Sequence, residues 1–121
     1  MKIKRVKIGI KGMAAAMDDF VRAAEAVGRG EKTKKEVGVY FTSLEAFRKV
    51  MTPRRMILLR HIKEGRPASL HELARRAKRN IKNVSEDVKY LAQVGLIEFE
   101  DSANRMSARV NYDKILLEIA V

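Results

Sequence analysis

The spacing of apolar residues changes period several times along the chain, and each change predicts a new element. Over residues 3–10, Val6, Ile8 and Ile10 alternate with Arg5, Lys7 and Gly9, the two-residue repeat of a strand. Met13, Met17, Phe20, Ala24 and Val27 then recur at steps of four and three, which predicts a helix with one apolar face. Gly28-Arg29-Gly30 ends that helix, and the polar stretch 31–36 predicts a loop. Val37, Val39 and Phe41 alternate with Gly38 and Tyr40 in a second strand. Ser43 is placed to cap a short helix carrying Leu44, Phe47 and Val50. Residues 1–51 therefore predict a strand-helix-strand-helix extension.

A strong restart follows at Thr52-Pro53, an N-cap hydroxyl with proline at the first helical position. The helix behind it carries Met56, Leu58, Leu59 and Ile62, and Gly65 with Pro67 stops it. Ser69-Leu70-His71-Glu72 has the S-x-x-E form of a capping box, and Leu70, Leu73, Ala74 and Ala77 follow at helical spacing. Lys78-Arg79 makes a turn, and Asn80 caps a third helix whose buried stripe is Ile81, Val84, Val88 and Leu91. Gly95 suits the residue after its C-cap. Leu96 to Glu100 predicts a strand, Asp101-Ser102-Ala103-Asn104 a turn, and Arg105 to Tyr112 a second strand. In that strand Met106, Ala108, Val110 and Tyr112 alternate with Arg105, Ser107, Arg109 and Asn111. Residues 113–121 fit strand or helix. Strand is favoured, because Ile115, Leu117, Ile119 and Val121 alternate and the N-terminal strand offers a partner.

Charge narrows what such a chain would meet. Among 121 residues, Lys and Arg number 26 and Asp and Glu 15, a formal charge of +11. Apolar residues make up 46%, enough for a core and too many for a disordered basic tail. A basic excess favours polyanions, since each phosphate neutralised releases condensed counterions, but charge alone does not separate DNA from RNA or anionic lipid. The N-terminal lysines also suit a solvated strand edge that resists pairing. The absence of cysteine excludes disulfides and thiolate metal sites, and fits a reducing compartment. Lys7 and Lys11 interrupt any signal-peptide core, and no apolar run is long enough for a membrane span. The expectation is a soluble, cytoplasmic protein.

Three capped helices followed by a basic hairpin are the parts of a winged helix. The motifs at 52–112 resemble those of prokaryotic winged helix-turn-helix transcriptional regulators of the small, antitoxin-like type. Thr52-Pro53-Arg54-Arg55 with Leu58-Leu59 looks like that family's first helix. Ser69-Leu70-His71-Glu72-Leu73-Ala74 resembles its second, and Leu91 to Gly95-Leu96-Ile97 resembles the third helix running into the wing. The resemblance implies an α+β fold, a third helix in the major groove, no cofactor, and a homodimer matching palindromic half-sites. The extension 1–51 and the strand 113–121 would then serve dimerisation.

With Val84, Val88 and Leu91 inward, the wheel puts Lys82, Glu86, Lys89 and Gln93 outward, flanked by Arg79, Asn83 and Tyr90. Arg79, Lys82 and Asn83 are then the candidates for base edges, and Lys78 and Lys89 for phosphates. Glu86 repels phosphate, so it either reads a cytosine amine or orients the lysines. In the wing, Arg105, Ser107 and Arg109 share the face opposite the core, where arginine would meet backbone or minor groove. Arg75 and Arg76 either clamp phosphates or stay solvated. Each cation also has a bland role, as an i,i+4 partner or a solvated face.

Catalytic patterns fail on spacing. Gly28 to Thr33 resembles a phosphate loop, but it follows a helix and Glu31 separates glycine from lysine. His71-Glu72 lacks the second histidine of a zincin, since Arg75 stands there, and His61 is the only other histidine. Ser69 is a cap, not a nucleophile, and Asp18-Asp19 suit an early helical turn. Tyr90, Phe99 and Tyr112 are scattered, unlike the stacking platforms that read RNA. The expectation is sequence-specific binding to double-stranded DNA by a repressor or autoregulator, not an enzyme. The rival is a protein-interaction module, such as an antitoxin that neutralises a toxin-like partner protein.

Overall fold

The computed structural model describes residues 4–31, 38–102 and 105–119. It is an α+β structure whose elements run β1 (Arg5–Ile10), α1 (Met13–Gly28), β2 (Gly38–Phe41), α2 (Leu44–Val50), α3 (Pro53–Gly65), α4 (Leu70–Ala77), α5 (Ile81–Gln93), β3 (Glu98–Ser102), β4 (Arg105–Arg109) and β5 (Lys114–Ile119). The chain divides into two units, one made of 1–47 with 113–121, the other of Arg48–Tyr112.

In the first unit the strands form a sheet in the order β2-β1-β5, with both neighbours parallel to β1. The alternation read at 3–10 aligns Val6 with Ile115, and Ile8 with both Val39 and Leu117. Val6, Ile8, Val39 and Phe41 are buried, and Phe47 meets Phe41 edge-to-face at 5.7 Å. The segment 114–119 is strand. Its start is fixed by exchange with Lys4, whose carbonyl accepts from the Asp113 amide at 2.8 Å and whose amide donates to Asp113 Oδ2 at 3.1 Å. Helix α1 forms where its periodicity places it, yet its apolar stripe is open. Met17, Phe20 and Val27 are 57, 69 and 62% exposed. Parallel sheets are normally covered on both faces, and here Leu116, Leu117 and Ile119 of β5 are exposed as well. The predicted loop at 31–36 and the residues Ile3, Val37 and Val121 lie outside the described residues, apart from Glu31.

In the second unit the caps act as the sequence predicts. Thr52 Oγ1 accepts from the Arg55 amide at 3.3 Å with Pro53 at the first helical position. Ser69 Oγ accepts from the Glu72 amide at 3.1 Å, while Glu72 Oε2 takes the amide of Ala68, one residue before the cap. Asn80 Oδ1 accepts from the Lys82 amide at 2.8 Å. Gly95, at φ 91°, closes α5 with two bonds, Leu96 N–H to Leu91 O and Gly95 N–H to Ala92 O. That pattern requires a left-handed residue, which glycine supplies without a Cβ penalty. Leu58, Ile62, Leu73, Val84, Val88, Leu91 and Leu96 make the core, all almost fully buried.

The hairpin differs from its sequence reading. Asp101 and Ser102 stand in the ladder, paired with Met106 and Arg105, so the strands reach further toward the turn; Ala103 and Asn104 lie outside the described residues. Leu96 and Ile97 are buried ahead of the ladder. The strand predicted to Tyr112 ends at Arg109, because Tyr112 turns back and donates its hydroxyl to Leu96 O at 2.8 Å.

Burial pushes the Tyr112 phenol up to about 12 from an ordinary 10.0. The folded protein keeps this proton at pH values where an unfolded tyrosine releases it. The resulting stabilisation is complete below pH 10 and disappears as pH rises toward 12. Tyr112→Phe is expected to remove the late phase of the ultraviolet phenolate titration and to cost about 1 kcal/mol at neutral pH. A titration of the unaltered protein with no late phase would contradict the buried hydrogen bond.

Candidate nucleic-acid interface

The second unit presents α4, a tight turn and α5 in succession. The turn is a second left-handed closure, at Lys78 (φ 54°), with Lys78 N–H bonded to Arg75 O and Arg79 N–H to Ala74 O. Here a lysine occupies the position glycine usually takes, at a backbone cost of about 1 kcal/mol. What the turn positions is the start of α5.

Along α5 the wheel is as the sequence indicates. Val84, Val88 and Leu91 are fully buried, and Lys82, Asn83, Glu86, Lys89, Tyr90 and Gln93 are exposed. Lys78 and Arg75 are exposed beside them. Among the described residues none of Arg75, Lys78, Lys82 and Lys89 enters an ion pair, and Glu86 bonds to neither lysine. The i,i+4 pairing weighed for Lys82, Glu86 and Lys89 is therefore absent, and so is the role of Glu86 in orienting them.

Three arginines depart from their sequence placement. Arg79 does not reach outward; its side chain is 21% exposed, and its Nη2 donates to Asp87 Oδ2 at 2.7 Å. Arg76 closes the α3–α4 connection, with Nη1 on Gly65 O at 2.8 Å and Nη2 on Glu72 Oε1 at 2.5 Å. The Ala68 amide, aided by Arg76, holds the Glu72 carboxyl below the usual carboxylate range. Arg109 is the clearest correction. Its side chain is 15% exposed, and it donates to Glu100 Oε2 at 3.0 Å, Pro67 O at 2.8 Å and Ala108 O at 2.9 Å. Ser107, expected on the same open face, is buried and donates to Glu100 O, while Met106, expected inward, is 57% exposed.

Arginine stems bury readily when the head finds carbonyls, which apolar alternation does not register. The Arg105 backbone belongs to β4, and its side chain lies outside what is described. Glu98, Glu100 and Asp101 are exposed on the hairpin, so its described surface is not the basic one the sequence suggested.

The residue that sequence reasoning missed is Asp87. Only 16% exposed, its carboxylate holds Arg79 on one oxygen and Arg55 Nε on the other at 3.2 Å. Arg55 also donates to the carbonyls of Lys49 and Val50, both at 3.0 Å, and stacks over the Tyr90 ring at 4.6 Å. One acid thus joins the end of α2, the start of α3, the turn and α5. Its signal in the sequence is an aspartate beside the buried valine at 88, where an apolar-flanking charge requires a cation.

Among the described residues no cluster of His, Asp and Glu could hold a metal ion, and no helix is long and apolar enough to cross a membrane. Asp87→Ala is expected to lower stability by about 3 kcal/mol in urea unfolding, because two partly buried cations lose their partner. Glu86→Ala, one residue away and exposed, should stay within about 0.5 kcal/mol; equal effects would contradict the bridging role. Lys78→Gly is expected to raise stability by about 1 kcal/mol by relieving the left-handed lysine, and a loss instead would refute that strain.

No curated protein matches the chain. Residues 50–117, more than half of it and nearly all of the second unit, match the model of the HVO_A0114 family, and the chain belongs to that family.

Proposed function

We propose that Arg48–Tyr112 is a winged helix-turn-helix that binds double-stranded DNA, with the start and outer face of α5 toward the major groove. The observation that carries this reading is the row of side chains at Lys78 in the turn and at Lys82, Asn83, Glu86 and Lys89 on α5, exposed and without a side-chain partner among the described residues, with the helix anchored from behind by its core and by Asp87. Lys82 and Asn83 suit guanine and adenine edges, and Glu86, free of the lysines, suits a cytosine amine. Lys78, Lys89 and Arg75 suit phosphates. Arg79 and Arg109 drop out as contacts, since their guanidinium groups are already engaged in the fold. The role that follows is a repressor or autoregulator that binds DNA and catalyses nothing.

The first unit supports a homodimer. Its open stripe of Met17, Phe20, Val21 and Val27 and the exposed Leu116, Leu117 and Ile119 are apolar surface that a second copy would cover. The same surface is what favours the rival reading, a toxin-like partner protein. Light scattering at tens of micromolar, roughly the range where a specific interface persists, is expected to find a dimer. A monomer that copurifies with one stoichiometric host protein would favour the rival.

DNA binding is tested by fluorescence anisotropy on a duplex selected from genomic fragments and on a scrambled one, at several salt concentrations. Affinity should fall steeply with salt, by ~0.9 in log K per phosphate contact against log[salt]. Lys82→Ala or Asn83→Ala should weaken the selected duplex by about 1–3 kcal/mol while affecting the scrambled duplex less. Arg109→Ala should lower fold stability and leave the salt slope nearly unchanged. A flat salt dependence, or no binding at low salt, would refute the reading.

A further inference from the structure

A cavity of about 160 Å³ opens between one face of α3 and the turn that precedes α5. Arg54, Ile57, Leu58 and His61 line it from α3, at successive turns of one helix face, and Ala77 and Arg79 line it from the other side. Its floor is apolar, and among the described residues its wall carries the charge of two arginines and no carboxylate. Arg79 matters most. One terminal nitrogen is held by Asp87, while the other, Nη1, is buried without a hydrogen-bond partner among the described residues. A buried donor left unsatisfied costs free energy, and a guanidinium keeps its full charge at every accessible pH.

We propose that this cavity binds a small organic carboxylate with an aromatic or branched apolar body. The carboxylate would take the exposed Arg54 guanidinium, and a small shift of the Arg79 head toward the cavity would uncover its buried Nη1 for the second oxygen, with Nη2 remaining on Asp87. The apolar body would lie against Ile57, Leu58 and Ala77, and the His61 imidazole would close one side. The volume is right for such a molecule, since an apolar cavity of about 150 Å³ accommodates benzene. A bare phosphate, or one on a nucleic-acid backbone, would leave the apolar floor uncovered, which is why a carboxylate with an apolar body is the better occupant. Arg79 directly precedes Asn80, the cap of α5, so occupancy is felt at the face proposed to meet DNA. That consequence rests on the DNA reading; the binding site does not.

The test is a titration of the full-length, ¹⁵N-labelled protein, without DNA and at fixed ionic strength, with four probes followed by NMR. Benzoate is expected to saturate at about 1 mM or tighter, shifting amides around 54–61 and 77–80. Acetate, benzyl alcohol and inorganic phosphate should each bind at least about tenfold more weakly, because each lacks one half of the recognition. Arg54→Gln and Ile57→Ser, both at exposed positions and harmless to the fold, should weaken benzoate about fivefold or more. Arg79→Gln should weaken it further if the chain stays folded. Phosphate binding as tightly as benzoate would make this a backbone-phosphate site and overturn the proposal. Equal binding of benzyl alcohol, or linear unsaturable shifts, would overturn it too.

Discussion

The carboxylate of Asp87 fixes the geometry on which the basic face depends. It sits beside the fully buried Val88 and bonds two guanidinium groups from distant stretches of the chain, Arg55 and Arg79. Arg55 in turn satisfies the carbonyls of Lys49 and Val50, so the end of α2 is drawn into the same network. An ion pair so little exposed is costly to desolvate, and it holds only when its geometry and extra hydrogen bonds are good. Here both carboxylate oxygens are used, and Tyr90 covers Arg55. The return is registry: the left-handed turn at Lys78 and the first residues of α5 are held in one arrangement.

Cations on this unit serve two duties. The arginines at 55, 76, 79 and 109 are folded back onto carbonyls and carboxylates, while the lysines at 78, 82 and 89 remain in solvent. A planar guanidinium with five donors tolerates partial burial by bonding several acceptors at once, whereas a compact ammonium keeps its water. The arginines at 55, 76, 79 and 109 therefore build the frame, and the exposed lysines, with Arg54 and Arg75, give the surface its field. Counting basic residues along the chain does not distinguish these two duties.

How much was legible follows the range of the physics involved. Local signals are legible: the caps at Thr52, Ser69 and Asn80, the glycine closure at 95, and the buried stripe of α5 at Val84, Val88 and Leu91 all act within a few residues of themselves, while Ile81, read into the same stripe, is only half-buried at the helix start. Strand 114–119 and its pairing with β1 followed from alternation plus the need for a partner. What failed depended on distant acceptors. Arg109 was read as outward because its neighbours alternate, yet the Pro67 carbonyl, far off in sequence, draws it in. Ser107 is buried because its hydroxyl finds Glu100 O across the ladder. Arg79 is read as near bases because Asp87, though its place beside Val88 calls for a cation, does not name which cation it will claim. The helix α1 was legible as a helix, but its periodicity could not tell that the apolar face stays open in a single chain.

The central claim is that the lysine-bearing face of α5, held in place by Asp87, is what meets duplex DNA. It is tested most directly by hydrogen–deuterium exchange on the full-length protein, alone and saturated with a selected duplex. The account predicts protection concentrated at the 78–83 turn and the first half of α5, lost with Asp87→Ala even under conditions where that variant remains folded. Protection confined to α1 and β5, or undiminished in the folded Asp87→Ala protein, would contradict it.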